Sequence, residues 1–103
     1  MTLNLTTNAD FGAMAATFKG LSDPSRLRVL AILLEGETNV NELAAQCELS
    51  PSATSHQLRV LRNLRFVAAR REGQAVHYRI SDDHIQGLME QAFKHSLHLD
   101  SQE

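Results

Sequence analysis

The spacing of apolar residues changes between positions 40 and 80, and this change constrains the fold more than any other feature of the sequence. Two short helical patterns, over residues 40–47 and 51–64, are separated by a turn that ends at Ser50-Pro51. Residues 66–71 and 75–80 then alternate between apolar and polar, with a turn over Glu72-Gly73-Gln74. Two short helices joined by a tight turn and followed by a β-hairpin are typical of a winged helix-turn-helix.

Helical patterns also flank this unit on both sides. Residues 9–19 have apolar side chains at helical spacing up to Gly20, and Ser22-Asp23-Pro24 predicts the start of a second helix, because a capping side chain precedes proline there. A last helix is expected from about residue 83 to residue 97 or 99. The sequence therefore predicts a mainly α fold with a small β-hairpin, in one domain over residues 9–99. Residues 1–8 are expected to form a flexible tail and residues 100–103 a frayed one.

Composition excludes several classes of protein. With 43% hydrophobic and 21% charged residues, the 103-residue chain is typical of a soluble globular protein. No apolar run reaches the roughly 18 residues of a membrane span, and the first residues lack the order of a signal peptide. Because Cys47 is the single cysteine, no internal disulfide can form, and we expect a reducing, cytoplasmic environment.

Charge is distributed unevenly along the chain. The net charge is −2, but residues 51–79 contain six arginines against Glu72 alone, a local charge of +5. A local basic segment attracts DNA phosphates more than the total charge does. The basic segment coincides with the predicted turn, helix and hairpin, so it predicts binding to double-stranded DNA.

The side chains expected to contact DNA lie on the second short helix and at the tip of the hairpin. They are Ser52, Ser55, His56, Arg59, Arg71 and Gln74. The first four lie opposite the leucines, towards the end that a recognition helix places in the major groove. Arg70 and Arg79 are further candidates for phosphate contacts in the hairpin. The alternative is a solvated basic helix face. His56 could instead bind a metal, but no second ligand at suitable spacing supports that role.

The last helix carries a second pattern, with Asp82, His84, His95 and His98 as candidate metal ligands. At about 100° per residue the three histidines project from one face, but His84 and His95 lie roughly 16 Å apart along the axis. Zinc holds its nitrogen ligands at about 2.0–2.1 Å, so one helix cannot join both ends. Two antiparallel helices could, giving two sites per dimer. The alternative is that the histidines are solvated or interface residues and that Asp82 only caps the helix.

Three imidazoles and one carboxylate, without a thiolate, suit Zn²⁺, with Co²⁺ as its tetrahedral mimic. Soft metals are disfavoured, and ligand identity leaves the choice among zinc, cobalt and nickel open. A zinc hydrolase is the remote alternative, but four ligands leave no open position and no H-E-x-x-H occurs. We therefore expect a protein that is not an enzyme.

Several motifs resemble the ArsR/SmtB family of metal-sensing winged-helix repressors. They are Leu21-Ser22-Asp23-Pro24-Ser25-Arg26-Leu27-Arg28, Glu42-Leu43-Ala44, Leu49-Ser50-Pro51-Ser52-Ala53-Thr54-Ser55-His56-Gln57-Leu58-Arg59-Val60-Leu61, Arg71-Glu72-Gly73-Gln74 and His77-Tyr78. The resemblance covers about residues 9–99. It implies a homodimer joined by the first and last helices, which binds an inverted-repeat operator before metal-efflux or sequestration genes and releases it when metal binds.

Within this family, the subgroup with a metal site across the last helices uses D-x-H, ten residues, then H-x-x-H or H-x-x-E. The spacing of Asp82, His84, His95 and His98 matches. The resemblance also implies that His95 reaches a backbone carbonyl near Arg65. A second family site uses cysteines at the start of the third helix, where this chain has none, so we expect that site to be absent. The main alternative is a repressor of this fold that senses another signal, such as nickel or redox state.

Overall fold

The computed structural model describes residues 10–101, and their side chains up to residue 97. The elements in chain order are α1 (Phe11–Leu21), α2 (Pro24–Leu33), β1 (Thr38–Asn39), α3 (Val40–Cys47), α4 (Pro51–Asn63), β2 (Val67–Glu72), β3 (Ala75–Ile80) and α5 (Asp83–Ser101). The predicted winged helix-turn-helix is confirmed: α3 and α4 form the helix-turn-helix, and β2 and β3 form the wing. The expected tail at residues 1–8 lies outside the described residues.

Short polar side chains fix where the helices begin. The side chains of Asp10, Asp23, Asn39 and Ser50 each accept a hydrogen bond from the backbone N–H three residues later. These bonds satisfy donors that the first turn of a helix leaves free. Pro24 and Pro51 follow two of the caps, at positions where a missing N–H costs nothing. The predicted helix starts at Asp23-Pro24, Asn39 and Ser50-Pro51 are confirmed.

The sheet has one strand more than the sequence predicts. Its order is β1-β3-β2, all antiparallel, and β1 pairs Thr38 with Tyr78 and Asn39 with His77. A strand of two residues is too short to show an alternating pattern, which is why sequence analysis missed it. The wing turn consists of two residues rather than three, since Glu72 pairs with Ala75. Gly73, at a φ of 62°, supplies the left-handed conformation that such a turn needs.

The core lies between α2, α3, α4 and the sheet. Leu30, Leu33, Leu43, Leu58 and Leu61 are among its fully buried side chains. Phe66 just before β2, Ile80 at the end of β3, and Ile85 and Met89 from α5 close it. In α2 the buried residues are Val29, Leu30 and Leu33. The sequence predicts a buried stripe of Leu27, Leu30, Ala31 and Leu34 that Val29, Ile32 and Leu33 widen, so the centre of the buried face differs from the predicted one. Almost every residue of α2 between 27 and 34 is apolar, so periodicity alone could not choose the face.

Apolar side chains of α1 and α5 remain exposed. They are Phe11, Met14, Phe18, Leu88 and Leu97, with exposed fractions of 48–68%, and are called here the α1–α5 apolar surface. Leu21 is the buried residue of α1. The radius of gyration is 15.2 Å, against about 13 Å for a compact domain of about 100 residues. Both helices therefore present apolar surface that this subunit alone does not cover.

The last helix is longer than expected. It begins at Asp83, as predicted, but continues to Ser101. Residues 100 and 101, assigned to a frayed tail by the sequence analysis, are helical, and residues 102–103 lie outside the described part. None of the described helices combines the length and the hydropathy that crossing a bilayer requires.

Candidate nucleic-acid interface and metal-ligand residues

The exposed face of α4 carries the four residues predicted to read DNA. Thr54, Leu58 and Leu61 are buried, which turns the opposite face outward. That face presents Ser52, Ser55, His56 and Arg59, all of them exposed. Ser50 accepts the hydrogen bond from Ala53 N–H, which sets the direction in which the helix leaves the turn. The structure thus places these four side chains together on one surface.

A polar cleft lies between α4 and strand β3. Its volume is about 410 Å³, and it is lined by Ser55, Arg59, Arg62, Asn63 and Tyr78; we call it the α4–β3 cleft. Tyr78 packs its partly buried ring against the core. Among the side chains that the structure describes, no carboxylate pairs with either arginine. Two guanidinium groups without a counter-charge favour an anion such as a phosphodiester.

Two of the five cleft residues, Ser55 and Arg59, are among the DNA contacts predicted from the sequence, and the other three are not. Arg62 and Asn63 lie three and four positions after Arg59 and so share its helix face, a spacing that could have revealed them. Tyr78 is brought to the cleft by the pairing of β3 with its neighbours, for which the sequence gives no local signal.

Three basic or polar side chains of the wing, those of Arg70, Arg71 and Gln74, differ in their contacts. Arg71 and Gln74 are exposed on either side of the turn. Arg70 instead contacts two carboxylates, at 2.6 Å from Glu37 and 2.7 Å from Glu72. Hydrogen bonds from Arg70 lower the pKa of both carboxyl groups, and these bonds raise the pKa of Arg70. Arg71 and Gln74 are therefore freer than Arg70 to contact DNA.

This ion-pair cluster predicts a pH dependence of the wing. The pKa values of Glu37 and Glu72 are lower in the folded protein than in the unfolded chain, where they are about 4.3. The two carboxylates therefore stabilise the folded wing at neutral pH. This stabilisation is lost as the pH falls through the folded-state values. We expect backbone amide exchange of the wing, corrected for intrinsic rates, to accelerate below about pH 4. In Glu37→Gln the acceleration should be smaller, and an equal acceleration would contradict this account.

The predicted metal ligands form two pairs at opposite ends of α5. Asp82 caps the helix, accepting a hydrogen bond from Ile85 N–H at 3.0 Å, and the same Oδ1 lies 2.8 Å from His84 Nδ1. Both side chains are open to solvent, with 46% and 81% of their surface exposed. Ligands of a tetrahedral zinc ion lie about 3.3 Å apart. A small shift of either side chain would therefore let this pair share one ion.

The other pair does not reach the first within one subunit. His95 is exposed and lies eleven residues, about 16 Å, further along α5. The backbone of His98 is helical, but its side chain lies outside the described part. Within the described residues no three His, Cys, Asp or Glu side chains are close enough to hold a metal. The exposed imidazoles of His84 and His95 and the carboxylate of Asp82 are nitrogen and oxygen donors of the kind that zinc binds.

Cys47 differs from these ligands in its surroundings. It is 2% exposed, and burial raises the pKa of its thiol. A buried, protonated thiol is neither a metal ligand nor a reactive group. Cys47 therefore acts as a small residue of the core.

Comparison with known proteins identifies relatives of this fold. The model of the bacterial regulatory protein, arsR family, matches residues 23–69. The chain is 45% identical over 82 residues to the transcriptional repressor SmtB homolog of Synechocystis, covering 80% of this chain and 62% of that protein. It is 43% identical over 86 residues to the HTH-type transcriptional regulator NmtR of Mycobacterium tuberculosis, covering 84% and 72%. The chain thus spans less than two thirds of the first relative's length.

A solved structure agrees in fold. The homodimeric winged helix-turn-helix DNA-binding domain of a Mycobacterium bovis protein superposes with a TM-score of 0.81 at 26% identity, covering 96% of this chain and 92% of that one. The relatives are transcriptional regulators, in agreement with the expectation that the chain is not an enzyme. By sequence and by structure, this chain belongs to the ArsR family of bacterial regulatory proteins.

Proposed function

We propose that this protein is a metal-responsive transcriptional repressor. The metal-free homodimer binds an inverted-repeat operator in the cytoplasm, and Zn²⁺ bound across the two α5 helices lowers its DNA affinity. Genes for metal efflux or sequestration are then expressed. The observation that carries this proposal is the placing of exposed candidate ligands, Asp82 with His84 and then His95, at opposite ends of a helix whose apolar side chains are also exposed.

A second copy of the chain is the occupant of the α1–α5 apolar surface. The surface includes Phe18, at 58% exposed, beside an apolar cavity of about 260 Å³ lined from α1, α2 and α5. Homodimers usually have twofold symmetry, in which the same patch of each subunit covers the other. The relative from Mycobacterium bovis is a homodimer of this fold. An antiparallel pair of α5 helices would complete both ligand sets at once.

The DNA interface uses three parts of each subunit. The N-terminal half of α4, with Ser52, Ser55 and His56, enters the major groove, where small and polar side chains contact base edges. The α4–β3 cleft binds a backbone phosphate through Arg59 and Arg62. At the tip of the wing, Arg71 and Gln74 contact the adjacent backbone or minor groove. Phosphate contacts position the protein, and contacts with base edges select the sequence.

Arg62→Gln tests the phosphate cleft. We expect this variant to bind operator and random DNA more weakly by similar factors, because a phosphate contact carries no sequence information. Each lost contact lowers the salt slope by about 0.9, so a dimer should lose roughly 2. The measurement is DNA affinity at four or more salt concentrations. Lys94→Gln, which removes the same charge from α5, is the control, and an unchanged slope in Arg62→Gln would contradict the assignment.

Asp82 and His84 of one subunit and His95 and His98 of the other would hold the zinc ion, which would supply a link between the two α5 helices. The positions of these side chains would then set the crossing of the two helices. The recognition helices then no longer match successive major grooves. Redox sensing through Cys47 is disfavoured, because its thiol is buried and its pKa is raised.

Titration with Co²⁺ tests the metal site directly. We expect a visible spectrum typical of tetrahedral cobalt that saturates at one ion per chain and is displaced by Zn²⁺. An octahedral spectrum or no spectrum would contradict the proposed ligand set.

A further inference from the structure

The segment that precedes α5 is hydrogen-bonded to the end of the recognition helix α4. The hydroxyl of Ser81 donates to the backbone carbonyl of Arg65 at 2.8 Å. The backbone N–H of Ser81 donates to the carbonyl of Phe66 at 3.0 Å. One residue of this segment therefore contacts both residues through which the chain leaves α4.

These residues form the C-terminal cap of α4. Arg65 has a left-handed φ of 63°, its N–H donates to the carbonyl of Arg62, and Phe66 N–H donates to that of Leu61. Helix-end carbonyls lack partners within the helix and depend on groups from outside. Here the N–H groups of Arg65 and Phe66 satisfy two of those carbonyls, and Ser81 donates to the carbonyl of Arg65 itself, so the position of Ser81 and the end of α4 are linked.

On its other side, Ser81 is bonded covalently to Asp82. The Asp82 carboxylate caps α5 through Ile85 N–H and contacts His84 Nδ1. The carboxylate that would hold the ion therefore belongs to the residue directly adjacent to Ser81. The path from the candidate metal ligands to the end of the recognition helix is one peptide unit and one hydrogen bond.

We propose that Ser81 is a positioning residue that couples metal binding at Asp82 and His84 to the orientation of α4. This inference rests on the proposed function and concerns how that site is regulated. It differs from a link through His95, which starts at the opposite end of α5. The Arg65 carbonyl has two lone pairs, so it can accept from Ser81 and from a second donor.

The test uses the dimer with Ser81→Ala, which removes the hydroxyl but keeps the Ser81 N–H. Ser81→Thr retains a hydroxyl. Ser22→Ala is the matched control, since Ser22 also donates its hydroxyl to a helix-end carbonyl, that of Lys19 at 2.6 Å, but at the end of α1. Three quantities are measured: Co²⁺ affinity, the ratio of operator dissociation constants with and without Zn²⁺, and amide exchange around residues 65–67 in the metal-free protein.

In Ser81→Ala we expect the zinc-induced change in operator affinity to shrink about 3- to 10-fold, with Co²⁺ affinity within about twofold of the parent. Metal-free exchange at residues 65–67 should accelerate by a similar factor. Ser81→Thr should restore both quantities, and Ser22→Ala should change neither.

Three results would overturn the inference. The first is a zinc-induced change in operator affinity that is as large in Ser81→Ala as in the parent protein; the proposed function would then still hold. The second is a lost cobalt spectrum in Ser81→Ala, which would place the effect at the metal site itself. The third is a parent protein whose operator affinity ignores zinc, which would overturn the proposed function as well.

Discussion

Two variants that each lack half of the ligands should bind no Co²⁺ in the tetrahedral form when separate, and should regain part of that spectrum when mixed. The first is Asp82→Ala/His84→Ala and the second is His95→Ala/His98→Ala. In a heterodimer the intact pair of each chain meets the intact pair of the other, so one of the two sites is complete. With random exchange in an equal mixture, about a quarter of the parent's sites should return.

This result is expected because α5 holds its two ligand pairs about 16 Å apart. No rotamer of His84 or His95 spans that distance, so each complete site requires two subunits. The measurement is the visible absorption of Co²⁺ after subunit exchange, with native mass spectrometry to show that heterodimers have formed. A tetrahedral Co²⁺ spectrum in either unmixed variant would contradict a site between subunits. So would the absence of that spectrum from a solution rich in heterodimers.

Phe18→Glu should convert the protein to a monomer and reduce operator affinity by at least about 10³-fold. The side chain is 58% exposed in the subunit and belongs to the α1–α5 apolar surface. Burying a carboxylate in an apolar interface costs several kcal/mol, by order of magnitude, unless it is paired. A monomer makes half of the phosphate and base contacts, and affinity falls steeply with that number.

Analytical ultracentrifugation gives the oligomeric state, and operator binding gives the affinity. The matched control is Ala13→Glu, which adds the same charge to the opposite face of α1, where Ala13 is exposed. The control should remain a dimer that binds operator. A dimeric Phe18→Glu protein would show that another surface joins the subunits.

Much of the fold is determined by local signals that the sequence displays. Capping residues at Asp23, Asn39 and Ser50, the two prolines that follow caps, and Gly73 each fix backbone geometry within a few residues. Such signals act between residues that are close in the sequence, so they can be recognised without a structure. The winged helix-turn-helix could therefore be predicted with nearly correct element bounds.

What could not be predicted depends on contacts between distant segments. Strand β1 exists because Thr38 and Asn39 pair with β3, about forty residues later. Tyr78 reaches the α4–β3 cleft, and Ser81 reaches the Arg65 carbonyl, through the same tertiary arrangement. Arg70, a further candidate for a phosphate contact by sequence, instead contacts Glu37 and Glu72 in the structure. No local spacing of residues indicates any of these contacts.

The candidate metal site shows the same division between local and distant information. Helical spacing places Asp82 with His84 and His95 with His98, and it also shows that one helix cannot join the two pairs. The subunit structure agrees, with the first pair 2.8 Å apart and His95 exposed further along α5. The joining of the pairs belongs to the dimer and remains a proposal.

Operator binding measured by fluorescence anisotropy, with and without Zn²⁺ at one stated salt concentration, tests the central claim most directly. We expect the metal-free protein to bind tightly and the zinc-loaded protein to bind about 5- to 150-fold more weakly, the range of a typical allosteric coupling. The His95→Ala protein should bind operator tightly in both conditions. Equal affinity of the parent protein with and without zinc, or tighter binding with zinc, would contradict the account.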